Sequence, residues 1–569
     1  MRMISRSLLA LAVGLLSACA MPQPASQAVA DQPSRQIVVT GNATATAVAR
    51  DILRQGGSAV DAAIAAQAVL GLVEPQSSGL LGGIDILLTT PDGGVQSIDG
   101  MATAPSGAMP APAMDPDGTL LDPRRVAFSP RAVGVPGVLP ALYAAYRSHG
   151  RLAWARLFEP AIALARNGTP MPRLLHDLLT DPQADDTLGA VRALYADASG
   201  AVPVVGQSFR NPAYAAALLR IAQSGPDGLL QGTGLDHLLT PLRRGAYASS
   251  MRGSDLRGIT PRIGPALCRP WQGYRICTAP PPAAGGFVML QILAMTQPGR
   301  ADDADFVHRF LEASRLAQAD RRRYLADPGF IDVPVEELLD PDYLAGRSRL
   351  ISPTGSIEHP QAGSMDEAAL HRPDPGQPQA GTSSVAVVDA QGLAVAFTST
   401  VNLHFGARIV AEGMVFNNAL INFAPPPPTT LPGNGGRYAN EMAPGKRPVS
   451  PVAPVIVLDA QNRPVLLGGG AGGPAIPDEM AMALIRVLGE HARPAQALAE
   501  GHVNAADPDH IVVEQGSTAE ALRPALEALG HRVEPEPVDS GTVLLLRQGE
   551  SWIGAGDPRR EGREALGVP

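Results

Sequence analysis

The chain has few aromatic and few charged residues. Of its 569 residues, 4% are aromatic and 17% are charged, whereas 45% are hydrophobic. The formal net charge is −9, and no long run of basic residues is present. This composition is typical of a globular protein with a substantial core, and it gives no indication of nucleic-acid binding.

Cysteine is scarce, and the common metal-binding motifs are lacking. The sequence has three cysteines and no C-x-x-C, H-E-x-x-H or acidic calcium loop, so we predict neither a metal site nor a cofactor. A two-residue turn at Gln272-Gly273 would place Cys268 opposite Cys277 in a hairpin, and this spacing permits a disulfide. Two free buried thiols are the alternative.

The apolar segment near the N-terminus is too short to span a bilayer. This segment, residues 8–16, follows two arginines, as in a secretory signal peptide. From its last residue the chain reads Leu16-Ser17-Ala18-Cys19, which resembles a bacterial lipobox. We expect residues 1–19 to be a lipoprotein signal peptide and Cys19 to be lipidated. Ala20 is not the aspartate of inner-membrane retention, so we expect a periplasmic protein anchored to the outer membrane. An ordinary signal peptide with an incidental cysteine is the alternative.

The remaining chain divides at a polar linker. Residues 20–36 are rich in Pro, Gln, Ala and Ser and are predicted to be a tether, whereas 352–380 are rich in Pro, Gly, Ser and Asp, as expected of an exposed linker. Helical periodicity dominates before the linker, for example over 305–325, and a helix is predicted again over 478–491. Strands are predicted at 384–389, 394–401, 408–417, 452–459 and 463–469.

The junction Gly381-Thr382 follows this linker directly. A threonine hydroxyl is a weak nucleophile unless a base lies beside it. Cleavage before Thr382 would free an α-amine, with an ordinary pKa of about 7.7–8.0, that can act as this base. We therefore consider Gly381-Thr382 a candidate cleavage site and Thr382 a candidate nucleophile. The alternative is a loop that enters a strand, and the dipeptide alone favours that alternative.

A glycine-rich run, Gly468-Gly469-Gly470-Ala471-Gly472-Gly473-Pro474, lies between a predicted strand and a predicted helix. Backbone N–H groups at such a turn can stabilise an oxyanion. The run also matches G-x-G-x-x-G, but no second parallel strand with a terminal acid follows the helix, which disfavours a dinucleotide site. A turn that serves packing alone is the third interpretation.

Thr400 and Asn402 alternate along the second predicted strand after the linker. Alternate residues of a strand face the same side, and the turn at 389–392 would fold this strand back beside Thr382. Both side chains are therefore candidates for the same site. Cross-strand polar pairing on an exposed face is the alternative.

The order of several segments resembles the γ-glutamyltransferase (glutathione hydrolase) family of N-terminal-nucleophile hydrolases. The resemblance extends from about residue 37 to residue 560 and depends on many short matches in one order. The matching segments are Gly56-Gly57-Ser58-Ala59-Val60-Asp61-Ala62-Ala63, Val133-Gly134-Val135-Pro136-Gly137, Leu157-Phe158-Glu159-Pro160-Ala161, Pro280-Pro281-Pro282-Ala283-Ala284-Gly285-Gly286, Tyr324-Leu325-Ala326-Asp327-Pro328, Gly445-Lys446-Arg447-Pro448 and Gly554-Ala555-Gly556-Asp557-Pro558-Arg559.

This resemblance implies an α+β fold, specifically a four-layer αββα sandwich. It also implies self-cleavage before Thr382, giving a large part that ends at residue 381 (37–381 within the folded domain) and a small part, 382–569, that stay associated. The resemblance implies that Thr382 is the nucleophile and that Thr400 is its hydrogen-bond partner. It also implies that Gly472 and Gly473 form the oxyanion hole. Asn402 and Ser450 match positions that hold the glutamyl head group.

The sequence departs from the family pattern around the acyl group. The arginine that grips the substrate α-carboxylate is absent near Asp99-Gly100-Met101-Ala102, and the positions that hold the α-amine carry Ala419 and Asn422. The second serine of the usual pair is Pro451. Losing a bidentate arginine leaves a carboxylate unpaired, at a cost of several kcal/mol. His404 and Arg408 could supply replacement charge, although surface positions are the simpler expectation for both.

We therefore predict an autoprocessing N-terminal-threonine amidohydrolase or acyltransferase. Its substrates would be small γ-glutamyl-type amides such as glutathione. Two alternatives stay open: an acylase for other amides, like the cephalosporin acylases, and a catalytically silent binding lipoprotein of the same fold.

Overall fold

The computed structural model describes residues 33–109, 121–182, 186–245, 247–296, 299–365, 371–374, 381–425, 437–507 and 509–568. The predicted signal peptide, Cys19 and most of the predicted tether lie outside the described residues. Within the described ranges, no helix is both long enough and apolar enough to cross a membrane.

The strands of the described ranges fall into two large sheets and three small ones. In chain order they are β1 (Gln36–Thr40), β2 (Gly83–Thr89), β3 (Val95–Gly100), β4 (Thr169–Pro170), β5 (Ser208–Phe209), β6 (Arg262–Pro265), β7 (Leu267–Trp271), β8 (Tyr274–Thr278), β9 (Gly381–Val388), β10 (Ala394–Asn402), β11 (Val410–Ala411), β12 (Met414–Val415), β13 (Val455–Leu458), β14 (Pro464–Gly469), β15 (Val503–Asn504), β16 (Ile511–Glu514), β17 (Val533–Glu536), β18 (Val543–Gln548), β19 (Ser551–Gly556) and β20 (Leu566–Val568).

The helices cover the outer faces of the large sheets. In chain order they are α1 (Ala43–Arg54), α2 (Ala59–Val73), α3 (Pro123–Ala127), α4 (Val138–His149), α5 (Glu159–Asn167), α6 (Arg173–Thr180), α7 (Gly189–Tyr195), α8 (Pro212–Ser224), α9 (Asp227–Leu230), α10 (Gly232–Leu242), α11 (Gly253–Gly258), α12 (Ala284–Met295), α13 (Ala304–Tyr324), α14 (Val335–Leu338), α15 (Pro341–Ser348), α16 (Ile476–Leu484), α17 (Pro494–Ala499) and α18 (Arg523–Ala528).

The two large sheets pack face to face. Within the described residues, one has seven strands in the order β20-β1-β9-β10-β2-β3-β6, and the other has six in the order β19-β18-β14-β13-β8-β7. A buried apolar layer that includes Ile37 and Ala386 of the first sheet and Ile456 and Leu545 of the second separates them. Alternate residues of a strand point to opposite faces, so the outward residues pack against helices on each side. The predicted four-layer αββα sandwich is confirmed.

Helix α2 positions the hairpin that contains Thr382. Its first turn is fixed by a capping box between Ser58 and Asp61, and the Ala59 N–H donates to the Asp389 carboxylate at 3.1 Å. Asp389 forms the turn between β9 and β10. At the other end of α2, the C-cap residue Glu74 accepts a hydrogen bond from Ser383 Oγ at 2.5 Å. The helix is therefore attached to both ends of β9.

The hairpin predicted at the cysteine pair is confirmed. Strands β7 and β8 pair with Cys268 opposite Cys277, and the two sulfurs form a disulfide with the Cα atoms 4.1 Å apart. Gln272 and Gly273 both have positive φ, of 46° and 82°, as the two-residue turn requires. The alternative of two free thiols is therefore wrong for this structure.

Two predicted elements differ from the structure. The predicted strand 408–417 is a tight hairpin of β11 and β12, because Glu412 and Gly413 have φ of 55° and 72° and reverse the chain. The predicted helix 478–491 begins earlier, as α16, and changes into a π-helical turn at Ile485–Gly489.

Candidate active site

Strands β9 and β10 bring the candidate nucleophile and its proposed partner together. Thr382 lies opposite Thr400, and Gly381 lies opposite Asn402. The Thr400 hydroxyl donates to the Gly381 carbonyl, which is the carbonyl of the predicted scissile bond. The same hydroxyl oxygen accepts the Asn402 N–H at 2.8 Å. Thr400 is thus held in place to polarise the carbonyl that precedes Thr382.

The simple alternation predicted for Thr400 and Asn402 is wrong. A β-bulge interrupts the pairing between these residues, and Asn402 adopts a φ of 83°. Its side-chain amide donates to the Asn418 carbonyl group at 3.3 Å. The bulge nevertheless leaves both residues beside the Gly381-Thr382 bond, which is what the sequence analysis expected of them.

The glycine-rich turn after β14 packs directly on β9. Ser384 Oγ donates to the Gly470 carbonyl at 2.9 Å, and a Cβ on Gly469 would lie 2.8 Å from Ser384 Oγ. Gly472 and Gly473 have φ of 144° and 66°, which L side chains rarely adopt. The sequence therefore needs glycine here for both backbone conformation and close approach. The turn begins beside the strand that contains Thr382.

The residues predicted to hold the substrate have unpaired polar atoms. Asn402 Oδ1, Ser450 Oγ and Asn422 Oδ1 are buried and have no hydrogen-bond partner within the described part of the chain. The Ser450 backbone is fixed, because its carbonyl accepts the Ala284 N–H at 2.7 Å. Buried polar atoms are normally paired, so these three atoms are free to accept hydrogen bonds from a polar ligand or from ordered water.

Met101 occupies the region where the family arginine is expected. It is 2% exposed and packs in a small apolar cluster with Ala279, Ala283 and Val452. Ala283 is also bridged to Ser450, so the apolar cluster borders the predicted acyl site. An apolar side chain therefore stands where the family arginine is expected, and the neighbouring Arg447 guanidinium is already paired with Asp99 at 3.1 Å.

A charged network that the sequence analysis missed surrounds this hairpin. Burial raises the pKa of Glu74, which accepts the Ser383 hydroxyl, although Arg560 opposes the shift. Arg560 also forms an ion pair with Asp539 at 2.9 Å. Burial opposes ionisation of Asp539, but Arg560 and His404 keep its pKa below the ordinary value. Asp539 therefore stays ionised at neutral pH.

A cleft of about 570 Å³ opens beside the glycine turn. Its lining includes Gly472, Pro451 and His404, and His404 Nε2 lies 3.3 Å from Asp539 Oδ2. His404 is thus part of the candidate site, as one interpretation of the sequence proposed. Arg408 is not, because its guanidinium stacks on Phe128 at 3.7 Å.

The cleft also approaches one cluster of possible metal ligands. Within the described ranges, ligand atoms of His510, Glu534 and Glu536 lie within 4.8 Å of one another. His510 already contacts Asp507 at 3.2 Å. The cluster is not visible in the sequence, because His510 precedes β16 whereas Glu534 and Glu536 lie in β17, and these strands pair only in the folded protein.

Glu479 gives a testable pH dependence. It lies beneath the glycine turn, where a Cβ on Gly472 would be 3.2 Å from Glu479 Oε1, and burial raises its pKa to about 7. Between the ordinary glutamate pKa of 4.5 and about 7, the folded protein holds a proton that the unfolded chain has released. Stability therefore falls with rising pH in this window, by about 3 kcal/mol for this group.

We expect Glu479→Gln to remove that loss. The free energy of unfolding of the variant, relative to wild type, should increase by about 3 kcal/mol between pH 4.5 and 7 and stay level above pH 7. Denaturant titrations at several pH values measure this difference on chains of the same cleavage state. If the free energies of unfolding of the two proteins instead changed in parallel with pH, Glu479 would already be ionised at pH 5, which would contradict this prediction.

Comparison with known proteins agrees with this architecture. The family model described as Gamma-glutamyltranspeptidase matches residues 45–567. The chain is 29% identical over 557 residues to the glutathione hydrolase proenzyme of Bacillus subtilis (strain 168), covering 94% of this chain and 91% of that protein. It is 31% identical over 525 residues to the acylase ACY 1 proenzyme of Pseudomonas sp. (strain SE83), covering 90% of each.

A solved structure supports the same fold. The crystal structure of cephalosporin acylase from Bacillus halodurans superposes with a TM-score of 0.81 at 23% identity and covers 98% of this chain and 100% of that one. The family match extends over nearly the whole chain, and the two relatives are named as a glutathione hydrolase proenzyme and an acylase proenzyme. The chain therefore belongs to the gamma-glutamyltranspeptidase family of N-terminal-nucleophile hydrolases.

Proposed function

We propose that this protein cleaves itself before Thr382 and then uses Thr382 to hydrolyse small amides. The observation that supports this most directly is the hydrogen bond from the Thr400 hydroxyl to the Gly381 carbonyl, with Thr382 directly opposite Thr400. A donor on the carbonyl oxygen stabilises the negative charge that develops there when a nucleophile adds to the carbonyl carbon.

Self-cleavage would begin with addition of Thr382 Oγ1 to the Gly381 carbonyl carbon. The C–N bond then breaks, the nitrogen takes up the hydroxyl proton, and an ester joins Gly381 to Thr382 Oγ1. Water hydrolyses this ester and leaves a carboxylate on Gly381 and a free amine on Thr382. The two products correspond to the predicted large and small parts, 37–381 and 382–569.

Turnover would repeat the same chemistry on a substrate. Thr382 Oγ1 attacks the amide carbon while the Thr382 amine takes the hydroxyl proton and passes it to the leaving amine. The N–H groups of Gly472 and Gly473 are the proposed oxyanion donors. Water, or a second amine, then removes the acyl group from Thr382.

The acyl site supports an acyl group without an amino-acid head better than a γ-glutamyl group. Met101 and its apolar cluster offer no cation for an α-carboxylate in the region where the family arginine is expected. The relative named as an acylase is consistent with this choice. A γ-glutamyl donor is the second candidate, because Asn402 and Ser450 retain buried polar atoms without partners.

Two measurements test the proposal. A denaturing gel should show two fragments divided at residue 381, and N-terminal sequencing of the smaller should begin at Thr382. The cleaved protein should release nitroaniline from glutaryl or simple acyl anilides faster than from the γ-glutamyl anilide. A chain that stays whole after long incubation would overturn the proposal, and faster release from the γ-glutamyl anilide would reverse the choice of donor.

Ser450→Ala separates binding from stability. Because Ser450 Oγ is buried and unpaired, we expect its removal to leave the free energy of unfolding unchanged or slightly raised. A neutral hydrogen bond lost to the substrate would lower kcat/KM roughly 2- to 10-fold. Asp340→Ala is the control, because it removes the N-cap of α15, which does not line the cleft, and should cost about 1 kcal/mol of stability with kcat/KM unchanged. Lower stability without a kinetic change in Ser450→Ala would contradict the binding role.

We also propose that Cys19 is lipidated and anchors the protein to the outer membrane, facing the periplasm. The lipobox-like sequence at the end of a short apolar segment supports this, and the Cys268–Cys277 disulfide suits an oxidising compartment. Fractionation of the native host should find the protein in the outer membrane. Cys19→Ala should shift it to another fraction, and unchanged membrane association would contradict the anchor.

A further inference from the structure

The last turn of α13 places two arginines on the wall of the cleft. Arg321 and Arg322 both line it, together with Gly472 and His404 on other elements. Both arginines are half-buried. Within the described residues, neither guanidinium makes a hydrogen bond or an ion pair, whereas most other arginines with comparable burial have a carboxylate or carbonyl partner. Two cations therefore face the same space as the proposed oxyanion turn.

Each acidic residue of the cleft has a closer partner than Arg321 or Arg322. Asp539 pairs with Arg560 and His404, and Asp507 pairs with His510. Glu479 accepts the Ser540 hydroxyl at 2.9 Å, and burial favours its neutral form. Glu536 lies 3.7 Å from His510. Within the described residues, none of these four carboxylates forms an ion pair with Arg321 or Arg322, although the Asp507 charge favours the Arg322 cation through space.

Burial acts on the arginines as expected for cations that have no direct ion pair. It lowers the pKa of Arg321, with Asp374 opposing the shift. It also lowers the pKa of Arg322 to about 10, where the neighbouring Arg321 adds to the effect and the Asp507 and Asp374 charges oppose it. Two adjacent guanidinium groups repel each other, and an anion between or beside them would remove that repulsion. Guanidinium groups bind carboxylates through paired N–H donors.

The helix dipole accounts for only part of this arrangement. Cations are favoured in the last turn of a helix, and α13 has three arginines there. Arg323 also serves that role, but it does not line the cleft, and its guanidinium stacks on the Tyr324 ring at 5.6 Å. The helix dipole does not explain why two of the three arginine side chains lie against the cleft without a direct hydrogen bond or ion pair.

We propose that Arg321 and Arg322 bind a carboxylate of the substrate, remote from the scissile amide. This inference builds on the proposed amide hydrolysis and assigns the substrate class: an amide that has a carboxylate on its acyl half or on its amine half. It also offers a physical reason why the family arginine can be absent, because an anion-binding group has moved to a different wall of the site.

Matched anilides test the assignment and identify which half has the carboxylate. Butyryl-4-nitroanilide has no carboxylate, glutaryl-4-nitroanilide has one on the acyl half, and butyryl-3-carboxy-4-nitroanilide has one on the amine half. Wild type should prefer at least one carboxylated anilide to the neutral one. Arg321→Gln/Arg322→Gln should lower kcat/KM for that anilide roughly 10- to 100-fold, as expected for loss of a charge-assisted contact, and leave the neutral anilide within 2-fold.

Arg323→Gln is the matched control, because it removes a neighbouring charge of the same helix turn outside the cleft. It should leave all three rates within 2-fold. Equal losses on all three anilides in the double variant, or no loss on a carboxylated anilide, would overturn the proposal.

A direct binding measurement distinguishes failure of the anion site from failure of the proposed function. Calorimetric titration with glutarate and with 3-aminobenzoate should show binding of at least one to wild type and to Arg323→Gln, and none to the double variant. If no anilide is hydrolysed but this binding pattern holds, the proposed function fails and the anion site stands. If neither probe binds to wild type, the anion site is wrong regardless of activity.

Discussion

Thr382→Ala is expected to remain a single uncleaved chain with amide hydrolysis reduced by roughly four to six orders of magnitude. The substitution removes the hydroxyl that must attack the Gly381 carbonyl, and without cleavage the α-amine that serves as base is never formed. Both losses affect the same residue, so they do not add as independent effects. The measurement is a denaturing gel of the purified protein together with an anilide assay.

The control for this prediction is Thr382→Ser, which retains a hydroxyl on the same backbone. It should still cleave and hydrolyse, more slowly than wild type, because serine lacks the methyl group that restricts the threonine rotamer. Residue 382 is 4% exposed, so folding of both variants should be checked by circular dichroism. A Thr382→Ala chain that separates into two fragments at residue 381 would exclude Thr382 as the nucleophile.

Thr400→Val should slow self-cleavage by roughly 100- to 1000-fold, the effect of removing one oxyanion donor. Valine has nearly the shape of threonine but cannot donate to the Gly381 carbonyl or accept the Asn402 N–H, two contacts of Thr400 in the structure. The rate is measured as the decay of the full-length band after synthesis in a cell-free system.

Thr400→Ser restores the hydroxyl and should recover most of the rate. A third variant, Thr398→Val, removes a hydroxyl of the same strand that pairs with Ser384 at 3.0 Å and not with the scissile carbonyl. Thr398→Val therefore measures how much the loss of a buried hydroxyl in β10 slows cleavage when the donor to the Gly381 carbonyl is still present. Equal slowing in Thr398→Val and Thr400→Val would mean that the effect is structural.

Local patterns predict the parts of the site that depend on neighbouring residues in the chain. The threonine after a segment rich in Pro, Gly and Ser, the glycine-rich turn and the hairpin that pairs Cys268 with Cys277 were each visible because turn geometry and residue type determine them over a few positions. The resemblance to a family supplied the four-layer fold and the roles of Thr400 and Ser450, which no periodicity would provide.

Contacts between distant segments were not predictable in this way. Glu74 and Ser383 are 309 residues apart and meet because α2 lies along β9, which no local pattern specifies. The bulge after Thr400 was missed because strict alternation is the default expectation for a strand. Arg321 and Arg322 were part of an ordinary helix terminus in the sequence, and their position against the cleft follows from the packing of α13.

The strand order of the two large sheets has a consequence for folding kinetics. Strands from before and after residue 381 alternate across the first sheet, where β1 lies between β20 and β9 and β10 lies beside β2, and they meet again between β13 and β8 in the second sheet. A cut before Thr382 therefore divides one cooperative unit into two pieces, each with unpaired strand edges and half of a core.

The uncut chain folds as one molecule, so its refolding rate is independent of concentration. Once cut, the same structure can be rebuilt only by an encounter of two incomplete fragments, so refolding becomes second order and competes with aggregation. The persistence of the cleaved protein would then depend on how slowly it unfolds.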